Sequence, residues 1–343
     1  MERIFLGTYT RHASKGIYRV ILDNQKERLR NVELMIPEQN PTYLAIDHHS
    51  HLFTVTKQAQ GGGIASYTCC DDGRNYRLNN AVIEAVDPLC YISIDEKRQL
   101  AFGANYHQGL LYSYEIAKDG SLTLADRIQH HGSGPHPNQK SAHVHYAHIT
   151  PDQRLAVCDL GTDEIYTYDV GITGKLKEVA RLHVAPGSGP RHMVFHPDNR
   201  HAFLVNELNN TMQILTYDFG SGMFTVQRTY NVLTHQDPTS SASAIRLSRD
   251  GRFLYVSVRG HNSISVFRLS DGFNEAEMIQ TIPTEGDGPR DFNFNSTDDF
   301  IIVGHQYSNQ LTLFKRDAET GLLTLKQKDV YAPEVVCVIP AEN

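Results

Sequence analysis

Tryptophan is absent from the 343-residue chain, so no repeat signature built on that residue is available. Cysteine is sparse: there are 5, an odd number, with Cys69 and Cys70 adjacent and no spacing of the kind that binds metal. Neighbouring cysteines are awkwardly placed to bridge each other, so reduced thiols and a cytoplasmic location are expected. No apolar run is long enough to span a bilayer, and Met1-Glu2-Arg3 leads directly into strand-like sequence without a basic-then-apolar leader. No membrane association is expected. Basic residues do not predominate either: 32 Lys and Arg stand against 39 Asp and Glu, a formal net charge of -7. That balance excludes a general nucleic-acid footprint but leaves room for a local positive pocket. Long windows with apolar residues at 3.6 spacing are missing too, which leaves little place for helices.

What the chain does have is a repeat. A Pro- or Gly-containing turn, an alternating strand, a polar Asp/Pro/Gly turn and a second strand recur throughout. Gly189-Pro190-Arg191-His192 leads to Ala202–Asn206, Ser243–Gly251 leads to Phe253–Arg259, and Gly288-Pro289-Arg290 leads to Phe300–His305. The second strand of each copy ends near Thr8, Lys57, Asn105, Asp159, Asn206, Val258 and His305. Seven copies at a period of about 50 residues, each with several strands, predict an all-β fold, a seven-bladed β-propeller. The widest interval contains the inserted segment Gly132–Lys140. The chain opens on a middle strand, Ile4–Thr8, and ends with a surplus apolar strand, Glu334–Ile339. The N- and C-terminal strands are therefore expected to close the last blade, which removes the unpaired edges of an open sheet. One domain spanning 1–343 follows, and Gly61-Gly62-Gly63 reads as a tight hairpin turn inside it.

The repeat alignment collects two sets of side chains at one end of the blades. Thr42, Cys90, His145, Arg191, Ser243 and Arg290 precede the inner strands. Gln58, Tyr106, Leu160, Glu207, Arg259 and Gln306 follow the second strands. Equivalent positions of a propeller converge on its axis, so Arg191, Arg259 and Arg290 are expected to share one pocket. Guanidiniums close together repel unless an anion or carboxylate lies among them. Glu207 balances one, leaving a site suited to phosphate or carboxylate oxygens. The bland alternatives are Glu207 as a structural ion-pair partner and His143 and His145 as ordinary strand histidines. Asp159, Asn105 and Asn206 read as hydrogen-bonders that hold turns. His12, His48, His49, His51, His130 and His131 read as surface residues. Oxygens of Glu207, Asp159, Asn105 and Asn206 would be needed for a divalent cation, and the neighbouring arginines oppose one. Neither a metal nor a cofactor is expected.

Several strings carry a resemblance. Gly7-Thr8-Tyr9-Thr10 with Gly16-Ile17-Tyr18, His143-Val144-His145, Asp159-Leu160-Gly161-Thr162-Asp163, Gly187–His192, Asn206-Glu207-Leu208 and Arg259–Ile264 occur in order along the whole chain. Together they resemble the propeller-type 6-phosphogluconolactonases, a family shape shared with fungal carboxy-muconate cycloisomerases. Val258, Gly304-His305 and Lys57-Gln58 depart from the usual residues. The resemblance implies a lactone hydrolase acting on a small anionic sugar lactone, most simply 6-phosphogluconolactone of the pentose phosphate route. The alternatives are a cycloisomerase and a non-enzymatic binding propeller. It also implies a catalytic set of His143, Arg191, Glu207 and Arg259. His145 competes with His143 for the histidine's role, because two residues apart on a regular strand they share a face. His145, His192, Arg290, Gln306 and Asn105 are expected to bind substrate, with Arg290 and His192 nearest the phosphate. A monomer or weak homo-oligomer is expected.

Overall fold

A computed structural model describes residues 1–71, 73, 75–235 and 237–341. Among these, every regular element is a strand. The strands form seven four-stranded antiparallel sheets, one per sequence repeat. Six sheets use four consecutive strands. In the seventh, Val335–Pro340 from the C-terminus pairs antiparallel with Glu2–Thr8, which continues into Gly16–Asp23 and Arg28–Pro37. The two chain ends are thus hydrogen-bonded into one blade, as the strand count predicts.

By packing, the chain divides into two compact units. One comprises Met1–Pro37, His192–Leu215 and Val226–Asn343; the other comprises Glu38–Arg191 and Thr216–Thr225. In the first, the strand Phe253–Arg259 shows why the apolar runs are nearly continuous. Leu254, Val256 and Val258 join a core with Phe203, Val205, Met212 and Ile214 of the preceding sheet. Phe253 and Tyr255 join a second core with Phe292, Ile301 and Val303 of the following sheet. Successive side chains of a strand point to opposite faces, and here both faces are buried. The second unit repeats the arrangement, with Phe53, Val55 and Ile64 packing on Ile92, Tyr112 and Tyr114.

Side-chain amides tie the outer strands of neighbouring blades. Asn80 donates to the Leu122 carbonyl (2.8 Å) and accepts from its amide (2.9 Å). Gln280 does the same to Leu323 at 3.0 and 2.8 Å, and Gln327 to Leu29 at 3.4 and 2.6 Å. Each pair satisfies backbone groups that an outer strand would otherwise leave open.

Three sequence expectations change. Gly61-Gly62-Gly63 is not the hairpin turn: Gly61 pairs with Gln58 and Gly63 with Thr56, so the glycines open the strand Gly61–Cys69. They are small because backbone crosses them closely. A Cβ on Gly63 would lie 1.9 Å from the Val82 carbonyl oxygen, and one on Gly62 would lie 2.4 Å from Pro88. His51 and His130 are buried rather than superficial, each paired with an aspartate, Asp47 and Asp159 respectively. The strand carrying His145 is irregular, with consequences for the site.

Candidate functional site

At one end of each blade, the start of the first strand pairs with the end of the second: Val144 with Asp159, Ser241 with Arg259, Pro289 with His305. The pairing is interrupted just there. Val144 pairs with Asp159 and Tyr146 with Cys158, so His145 has no partner residue and forms a bulge. Arg290 is extra in the same way between Pro289 and Asp291. Ser243 lies in the corresponding interruption between Ala242 and Ile245. A bulge withdraws one residue from the ladder and re-aims its side chain. His145, Ser243 and Arg290 all belong to the set that the repeat alignment placed before the inner strands. His143, by contrast, precedes its strand, so the two histidines do not share a strand face.

In the unit that contains Met1–Pro37, the ion pair Arg259–Glu207 dominates. Glu207 directly follows the strand His201–Asn206, and Arg259 ends Phe253–Arg259 of the next blade. The Arg259 Nη2 donates to Glu207 Oε2 at 2.9 Å, with 14% and 18% of the two side chains exposed. The same nitrogen reaches the Ala242 carbonyl at 3.4 Å, while the buried Nε has no hydrogen-bond acceptor among the described residues. Asn206 is fully buried and donates to Thr211 Oγ1 at 3.0 Å. Gln306 is buried, its amide bonded to the Gly288 carbonyl at 2.9 Å, with its Oε1 unpaired among the described residues. His192 is buried. Arg290 lies against Tyr9, its guanidinium carbon 5.9 Å from the ring centroid.

In the other unit, His143 is half-buried and stacked on Tyr106, with ring centroids 4.3 Å apart and planes 10° apart. Its Nδ1 donates to the Tyr106 carbonyl at 2.7 Å, which leaves Nε2 as the nitrogen able to accept a proton. His145 approaches the same tyrosine edge-on at 5.7 Å. Both histidines therefore meet at Tyr106. The Asp159 carboxylate holds the local backbone, with Oδ1 accepting from the amides of His143 (2.7 Å), Gly161 (3.0 Å) and Thr162 (3.2 Å). Asn105 is fully buried; it donates to the Asp87 carbonyl at 2.7 Å and accepts from the Gln108 amide at 3.0 Å. Arg191 is buried at the start of Pro190–Phe195. The loop before it is shaped by Asp163, whose carboxylate accepts from Gly187 at 2.7 Å and Gly189 at 2.8 Å.

Sequence reasoning passed over Asp163, Glu334 and the pairing of Tyr106 with the histidines. Glu334 accepts from the amides of Arg11, His12 and Ser14. Burial raises its carboxyl, but these amides outweigh that and hold it below the ordinary glutamate range. The signal for such residues is tertiary, since Glu334 lies more than 300 positions from the loop it binds. Among the described residues, no group of three or more His, Cys, Asp or Glu is arranged to hold a metal ion.

Residues 3–340 match the family model described as "Lactonase, 7-bladed beta-propeller". The chain is 38% identical over 339 residues to the 6-phosphogluconolactonase of Bacillus subtilis, covering 97% of each. A crystal structure of a protein from Lactobacillus plantarum superposes with a TM-score of 0.97 at 44% identity, over 99% of both chains. The periplasmic gluconolactonase of Pseudomonas aeruginosa superposes with a TM-score of 0.93 at 28% identity, again over 99% of both.

Proposed function

The chain belongs to the seven-bladed β-propeller lactonase family, and from that premise we propose that this lactone hydrolase opens 6-phosphogluconolactone to 6-phosphogluconate, within the oxidative pentose phosphate route. The observation that carries the reading is the partly exposed Arg259–Glu207 pair, a carboxylate and a guanidinium held together at the ends of adjacent blades. Lactone hydrolysis needs a proton acceptor for water and a cation for the carbonyl oxygen as it becomes negative. In this mechanism Glu207 takes a proton from water as its oxygen attacks the lactone carbon. Arg259 stabilises the oxyanion. Collapse then breaks the bond from the carbonyl carbon to the ring oxygen, and Glu207 returns the proton to the leaving alkoxide.

The likeness to the Bacillus subtilis enzyme supports the phosphorylated substrate. Five free thiols among the described residues support a reducing, cytoplasmic setting. A protein acting as a monomer or weak homo-oligomer completes the proposal.

The test is hydrolysis of freshly prepared 6-phosphogluconolactone, corrected for its spontaneous opening. Glu207→Gln keeps the shape and removes the base, and is expected to lower kcat by about a hundredfold or more with an unchanged melting temperature. Wild-type turnover in that variant would remove Glu207 from the chemistry. Absence of turnover in the native protein, with production of a lactone from a carboxylated diene acid instead, would replace the reading with the cycloisomerase one.

A further inference from the structure

Glu207 and Arg259 belong to neighbouring blades, so no single sheet fixes the distance between them. Glu207 opens the turn 207–210 that joins His201–Asn206 to Thr211–Asp218. Arg259 lies beside the strand Ser241–Leu247, opposite Ser241 and next to the Ala242–Val258 pair. One side chain spans the gap between that turn and that strand. Asn210 donates through Nδ2 to the Ser240 carbonyl at 3.0 Å and accepts at Oδ1 from the Ala242 amide at 2.7 Å. Its own carbonyl accepts from the Val232 amide at 3.0 Å. The carbonyl of Ala242 in turn accepts from Arg259 Nη2 at 3.4 Å. Bonded groups thus run without a break from the turn that bears the carboxylate to the guanidinium that pairs with it.

The backbone of Asn210 suits this task. Its φ is 54°, in the left-handed region that glycine, asparagine and aspartate enter at least cost. The same device recurs along the chain. Asp163, Asn262 and Asn309 have φ values of 57°, 55° and 57°. Each holds the segment that leads into the next first strand. Asp163 accepts from the Gly187 and Gly189 amides, Asn262 from Gly288 at 3.0 Å, and Asn309 from Glu334 at 2.9 Å. Of the four clamps, the one at Asn210 joins the turn of Glu207 to the strand beside Arg259.

We infer that Asn210 is a positioning residue, which sets the spacing and orientation of Glu207 and Arg259 without touching the substrate. This rests on the lactonase reading, in which that pair carries out hydrolysis. A base and an oxyanion donor act together only when both are placed for the same carbonyl. Loosening the clamp therefore slows the chemical step more than it weakens substrate binding.

The experiment measures kcat and KM for 6-phosphogluconolactone in the native protein, Asn210→Gly and Asn210→Asp, with Glu207→Gln alongside. Glycine keeps the left-handed backbone and removes the clamp. Asn210→Gly is expected to lower kcat by about tenfold while KM changes by less than about twofold. Aspartate still accepts from the Ala242 amide, so Asn210→Asp is expected to recover part of kcat. Native kcat in Asn210→Gly, or a loss confined to KM, overturns the positioning role, and a slow Glu207→Gln in the same series leaves the lactonase reading standing. Should Asn210→Gly not fold, Asn210→Asp decides: kcat below the native value with KM retained supports the role, and native kcat overturns it. If the native protein turns over no lactone, the lactonase reading fails, and crystal structures of the native protein and of either variant decide the positioning role. Arg259 Nη2 beyond hydrogen-bonding reach of Glu207 Oε2 in the variant supports it. An unchanged pair overturns it.

Discussion

The imidazole of His130 meets the carboxylate of Asp159 at 2.9 Å, with 1% and 0% of the two side chains exposed. The other ring nitrogen bonds the Tyr168 hydroxyl at 2.8 Å. Because the second Asp159 oxygen holds the His143 amide, His130 supports a candidate site residue without touching a substrate. The inserted segment joins this support: Gln139, fully buried, donates to the Leu160 carbonyl at 2.8 Å.

Replacing His130 by Leu removes the ring's bond and leaves one buried oxygen of Asp159 without a donor. The expected loss is about 2–3 kcal/mol, read as a lower urea midpoint with an unchanged slope. Asn at 130 keeps a donor and is expected to retain part of that stability. Equal stability of His130→Leu and the native protein would show that the pair holds nothing.

The stack of Tyr106 on His143 makes a second prediction. A double-mutant cycle of Tyr106→Leu and His143→Ala is expected to give a coupling of about 1 kcal/mol in stability. A coupling near zero would mean the rings are neighbours without mutual support.

His305 predicts a pH dependence. It is fully buried, and burial pushes its imidazole down from 6.5 to about 4, against the weaker upward pull of the Gln310 and Thr284 backbone groups and of Asp287. The unfolded chain therefore binds a proton at this residue that the folded chain refuses. Stability is full above pH 6.5 and falls as pH drops from there toward about 4, by up to about 3 kcal/mol. His305→Asn should flatten this slope, measured as the difference between urea melts at pH 7.5 and pH 4.5. An unchanged difference would assign the acid loss to other groups.

Gly63 offers a steric test. A Cβ there would lie 1.9 Å from the Val82 carbonyl oxygen, and that oxygen belongs to the neighbouring strand of the same sheet. Gly63→Ala is expected to destabilise by about 3 kcal/mol or more, seen as a drop in melting temperature. Gly171→Ala, whose nearest neighbour would be 3.4 Å away, serves as the matched comparison and should change stability little.

One candidate pair was legible, where chemistry and repeat position coincide. Arg259 and Glu207 occupy equivalent positions in consecutive repeats, and repeats that fold alike bring equivalent positions to the same end of adjacent sheets. That is why their 2.9 Å pairing follows from counting residues. His143 and His145 show where counting stops. Alternation places them on one strand face, whereas a bulge at His145 and a strand that begins only at Val144 separate their directions. Bulges arise from how one strand must bend to follow another, which no local pattern records. The glycine run failed for a related reason. Glycine serves turns and close backbone contacts alike, and only the path of Tyr76–Glu84 reveals which one operates at Gly63.

By itself the sequence determined the all-β class, the sevenfold repeat and the sharing of one blade by the chain ends. These depend on strand-period alternation and on turn residues, both local properties written in every copy. Tertiary structure alone decided that His130 is buried on Asp159, that Glu334 ties down the loop bearing Arg11, and that Arg11 and Arg290 meet over Tyr9. Each of these joins residues distant along the chain. Such contacts are selected by the free energy of satisfying buried charges and amides in the folded molecule, not by the preferences of neighbouring residues.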